Sequence, residues 1–154
     1  IFIKQIKSDG KTWDEVTRDV SYIGESCISA KTSTDTGASW ADVLFDVTRG
    51  LTTGLNLFNK DFAIAYDRFV CLKDGEYQIK WYALTAGAGA GGGSRLYYNS
   101  TIIAYSQSDP ESGWRGQTNI DITLTMKRGD YFMIEGWAVE GTSQESNHLN
   151  VVRI

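Results

Sequence analysis

The chain holds a single histidine, His148, with Ser146 two residues before it. A hydrolytic triad needs a nucleophile, a base and an acidic group that orients the base. Spacing supplies no such acid for His148, so it reads as a structural or solvated side chain. Asp109 and Glu111 share the loop "QSDPESGWRG" with Trp114. Paired carboxylates beside an aromatic ring suit glycoside hydrolysis, and they suit an ordinary acidic surface loop as well. "SDPES" and the "STDTG" of residues 33–37 offer oxygen ligands, yet neither matches a calcium-loop template. "GAGAGGGSR" lacks the lysine and the spacing of a phosphate loop. The "RLYY" that follows the glycines reads as strand, where a dinucleotide turn would open a helix. Cys27 and Cys71 do not have the spacing of a metal knuckle. The expectation is a protein that is not an enzyme and holds no metal or cofactor.

The same polar loop can bind. Trp114 offers a flat apolar face, and Arg115 a planar fork of donors. Asp109 and Gln107 accept or donate beside them. Gln107, Asp109, Trp114 and Arg115 are therefore the candidate ligand-binding residues, against the alternative that Trp114 folds back to cap the core.

These residues need a scaffold. A chain of 154 residues with 42% hydrophobic and 22% charged side chains suits one folded domain with a substantial core. The net charge of -4, with no long basic run, argues against a nucleic-acid partner. No apolar stretch approaches the roughly 20 residues of a membrane helix, so membrane insertion is not expected. Residues 1–25 read as a neck or linker, with Trp13, Val16 and Val20 on one side of a short helix; an N-terminal strand and loop wrapped on the body is the alternative. From residue 26 the pattern has a period of two. "WADVLFDV" puts Val43, Phe45 and Val47 on one face, and "DFAIAYDRF" does the same with Phe62, Ile64 and Tyr66. "FVCLKDGEYQIKW" turns at Lys73–Gly75 and aligns Tyr77, Ile79 and Trp81. "SRLYYNSTIIAYSQ" reads as a hairpin turning at Asn99-Ser100, with Ile103 and Tyr105 sharing a parity. "TNIDITLTM" alternates strictly, with Ile120, Ile122, Leu124 and Met126 inward. Residues 131–139 are apolar on both parities, so the second face needs a partner, for which another subunit is a natural candidate. Eight to ten short strands without amphipathic helices point to an antiparallel β-sandwich or jelly roll.

Phe62, Phe69, Gly75, Tyr77, Ile79 and Trp81 carry a spacing that resembles the complement-C1q-like domain, a branch of the tumour-necrosis-factor-like (TNF-like) jelly rolls. "SRLYYNSTIIA" is similar to the central hairpin of that family, and "DITLTMKRGDYFMIEG" to its pair of strands joined by a Gly-Asp turn. The resemblance spans residues 27–154. It implies an all-β jelly-roll sandwich over 26–154, assembled as a homotrimer, with Gly75 in a tight turn. The expected subunit contact is Phe132 and Ile134, with Tyr98 and Tyr82 behind them. The closing "LNVVRI" is plainer than the Phe- and Gly-rich ending of the animal members. The implied function is a recognition head on the surface of a virus or phage particle, at a fibre tip, binding a host cell-surface protein or glycan. A capsid-decoration or spore-surface module and a secreted signalling ligand are the alternatives.

Overall fold

The computed structural model describes residues 26–48, 61–65, 67–85, 91–109, 115–141 and 146–154. The expected neck, residues 1–25, lies outside them. The described residues form eleven strands and no helix. In chain order these are β1 (Ser26–Lys31), β2 (Ala41–Asp42), β3 (Val47–Thr48), β4 (Phe62–Ile64), β5 (Arg68–Cys71), β6 (Gly75–Thr85), β7 (Gly92–Tyr98), β8 (Thr101–Ser108), β9 (Gly116–Met126), β10 (Tyr131–Trp137) and β11 (Asn147–Arg153). The first sheet has the order β3-β1-β11-β6-β9; the second has the order β4-β5-β10-β7-β8, with β2 paired to β10. Every named pairing is antiparallel. This is the expected jelly-roll sandwich.

Period-two patterning builds the core. Tyr77, Ile79, Trp81 and Ala83 of β6 face inward and are essentially inaccessible, as are Leu149 and Val151 of β11. Phe69, Cys71, Leu96, Phe132 and Ile134 meet them from the second sheet. Edge-on Phe62–Tyr77 packing at 4.8 Å joins the layers, within the favoured range for aromatic pairs. Burying the Trp81 indole requires a partner for its N–H. Trp81 Nε1 donates to Ser94 Oγ across the sandwich at 2.8 Å, and Ser94 Oγ shares a 2.8 Å bond with Thr118 Oγ1. The Cys71 thiol is free and buried, and donates to the Lys73 carbonyl at 3.0 Å.

Several details depart from the sequence reading. The turn within "FVCLKDGEYQIKW" lies between sheets: β5 and β6 belong to different ones, so it carries the chain from one layer to the other. Gly75 is not a left-handed turn residue. It opens β6 where a Cβ would stand 3.2 Å from both the Tyr77 ring and Arg153, so close packing is what favours glycine there. "WADVLFDV" is not one strand. β2 belongs to the second sheet and β3 to the first, and Val43 and Phe45 fill the core between them. In the predicted hairpin, Asn99 and Ser100 do turn the chain, with φ of 46° and 69°. A bulge opposite Leu96/Tyr97 then shifts the parity of β8. Ile103 packs on the core while Tyr105, 55% exposed, faces outward. At the end of β10, Ala138 takes φ of 54°, and Val139 turns into the core.

Candidate functional site

The sandwich presents two open sheet faces and the loops at its ends. Of the predicted binding residues, Gln107 is exposed on β8, and Asp109 is exposed just beyond it. Arg115 pairs with Glu140 at 2.8 Å. Trp114 lies outside the described residues. The loop is thus seen only at its two ends, and Arg115 is held by an acid on another segment.

The outer face of the second sheet holds a group of rings that the sequence did not single out. Arg95 and Gly93 of β7 stand across from Tyr105 and Gln107 on β8, and from Glu135 and Trp137 on β10. Trp40, just before β2, lies over β7. The Arg95 guanidinium is 4.4 Å from the Trp40 ring centroid, within cation–π range. A Cβ on Gly93 would stand 2.8 Å from Trp40 Cη2, so glycine makes room for the indole. Trp40 is flanked by Tyr105 at 5.7 Å and by Trp137 at 6.1 Å, both tilted. Below, Arg95 Nε donates to Glu135 Oε2 at 2.5 Å, its Nη2 pairs with the same oxygen, and Tyr97 Oη donates to it at 3.1 Å. Partial desolvation and this carboxylate partner hold the Tyr97 phenol above its usual range. At the rim, Tyr105 Oη donates to Gln107 Oε1 at 2.5 Å. Trp40, Tyr105 and Trp137 escaped the sequence reading because they come from three distant segments. The only hint was a glycine opposite an exposed position.

The outer face of the first sheet is of a different kind. Lys80, Tyr82, Asn119, Asp121, His148 and Asn150 line a shallow groove of about 410 Å³. His148 Nε2 and Ser29 Oγ are 2.9 Å apart, and Lys80 pairs loosely with Asp121 at 3.7 Å. The lone histidine is thus part of a polar hydrogen-bonding surface. Among the described residues, no three His, Cys, Asp or Glu side chains gather as metal ligands.

The expected subunit contact needs correction. Phe132 and Ile134 are both 0% exposed within one chain, between the two sheets. They share the inward parity of β10 because Phe132 stacks on Phe69 at 4.9 Å, in the core. Tyr98 has the same parity, and its hydroxyl donates to Asp130 Oδ2 at 2.5 Å. Tyr82 lies on the other sheet, so the four residues share no surface. The second face of β10 is already half covered by this chain, with Arg68 over Tyr131 at 5.2 Å and Trp40 beside Trp137.

No family model matches the chain, and no curated protein matches it. Solved structures do. The crystal structure of murine APRIL at pH 5.0 superposes with a TM-score of 0.65 at 11% identity, covering 82% of this chain and 97% of that one. The murine APRIL structures at pH 8.0 and pH 8.5 give 0.61 and 0.62 at 10% identity with the same coverage. These are TNF-family jelly-roll domains, and the likeness is one of fold.

Proposed function

We propose that the chain is a non-enzymatic, homotrimeric recognition head that binds a cell-surface receptor. The observation that carries this reading is the TNF-like jelly roll itself, shared with murine APRIL over 82% of the chain. Loops and sheet faces on a rigid sandwich are where such folds place binding residues, and threefold display multiplies a weak single-site affinity. In this reading the subunit contact is the outer face of the first sheet, around Tyr82. That face is open across β11, β6 and β9, and its groove is lined mostly by uncharged hydrogen-bonding groups. Interface cores favour tyrosine and exclude charge. The setting we propose is extracellular, at a fibre tip on a viral or phage particle. The likeness to an animal TNF-family domain favours a second setting, a secreted ligand. The host or receptor-bearing cells differ between the two, but the test has the same form. Labelled chain should bind such cells saturably, and Tyr82→Asp should weaken that binding about 100-fold by removing avidity. Undiminished binding by a monomeric variant would contradict the reading.

A further inference from the structure

We propose that the Trp40 platform on the outer face of the second sheet is a binding site for neutral carbohydrate. The inference rests on the recognition reading and names the chemistry of its ligand. A pyranose ring presents a C–H face to an aromatic plane and a rim of hydroxyls to planar hydrogen-bonding groups. The platform pairs these features. Trp40 is held from below by Gly93 and Arg95, and Tyr105 stands beside it, 55% exposed. Ordered rings of this kind lose little side-chain freedom on binding. Around them are exposed hydrogen-bonding groups. The Gln107 carbonyl is taken by Tyr105 Oη, which leaves its amide N–H groups to donate and fixes their direction. Asp42 is an exposed acceptor two residues from Trp40.

The charges choose among sugars. Both cations of this face are already paired: Arg95 with Glu135, and Arg68 with Asp67 at 2.6 Å. Among the described residues no cation stands within ion-pair distance of Asp42, which lies across from Glu135 in the strand register. Partial desolvation raises the Asp42 carboxyl, and Glu135 and Asp67 raise it further by repulsion, against a smaller lowering by Arg68. The residual field is negative. A sialylated or sulfated glycan would be repelled, while a neutral one meets only dipoles and rings. An apolar protein surface would leave the Asp42 carboxylate and the Gln107 amide N–H groups without water or partners, which is costly.

The test uses the whole chain on an array of neutral and sialylated oligosaccharides, with affinities for the strongest ligands measured by titration. The expected result is binding of neutral glycans, at least tenfold weaker in Tyr105→Ala and Gln107→Ala, with melting temperature and assembly mass unchanged. Gly93→Ala should lift the Trp40 indole and reduce binding while shifting tryptophan emission. A blank array overturns the inference, as does binding restricted to sialylated glycans. If cells still bind the chain while the array is blank, the recognition reading stands and only the carbohydrate site fails. Neutral binding that survives Tyr105→Ala and Gln107→Ala but is lost in Arg115→Ala moves the site to the 107–116 loop and overturns this placement. A change of assembly mass in Tyr105→Ala would identify the face as a subunit contact and overturn it also.

Discussion

Asp130 shows how much one side chain does at the β9–β10 turn. Its Oδ2 accepts from Tyr98 Oη and from Lys127 N at 2.7 Å, and its Oδ1 accepts from Asn99 Nδ2 at 2.8 Å. The Tyr98 bond, the Lys127 N–H and Asn99 together hold its carboxyl below the usual 3.8. The same bond to Asp130, with desolvation, pushes the Tyr98 phenol up to about 12. A carboxylate with a depressed folded pKa contributes stability that is present above its unfolded value and is lost as pH falls through the folded one. Asp130→Asn should therefore cost about 1–2 kcal/mol at pH 7. The gap from wild type should narrow below pH ~4, where the unfolded carboxyl titrates. Melting curves at pH 7 and pH 2.5 check this, and an equal gap at both would contradict it. The acidic turn was legible in "KRGDY"; its grip on Tyr98 was not, because the two are 32 residues apart. The same holds for the ring platform. Trp40, Arg95, Tyr105 and Trp137 meet only through strand register, whereas the predicted 107–116 loop was chosen by composition within one segment.

At the scale of elements, alternation told which side chains are buried but not which sheet receives them. Val43 and Phe45 are buried as their spacing predicts, yet the backbone between β2 and β3 crosses from one layer to the other, with Val43 N still donating to the Ile134 carbonyl of β10 at 2.8 Å. The Lys73–Gly75 turn likewise signals a change of direction and nothing about its destination. A hairpin and an inter-sheet crossover use the same turn chemistry. The bulge in β8 is invisible to a two-residue period, and it alone turns Tyr105 outward. Phe45 shows what the crossing segment is worth. Its ring meets Trp81 edge-on at 5.6 Å and Phe69 at 5.1 Å, one from each sheet. Phe45→Ala should cost about 3–5 kcal/mol through lost burial and a cavity at the seam. Urea unfolding measures it, and a loss below ~1 kcal/mol would mean that the segment is dispensable to the core.

For the whole molecule, the fold class was legible because short alternating strands without helices leave few architectures, and the aromatic spacing of 62–81 narrowed them further. The assembly surface was not. Parity gives two faces to β10 without saying which is inside, and the core takes the face that carries Phe132 and Ile134. Phe132→Asp should therefore prevent folding, because it buries a charge without a partner. Tyr82→Asp should leave a folded chain. Sedimentation equilibrium at micromolar concentration tests the trimeric head most directly. The account predicts a species about three times the 17.1 kDa subunit for the wild type, and a folded species of one subunit mass for Tyr82→Asp. A wild-type chain that sediments as a monomer would contradict it.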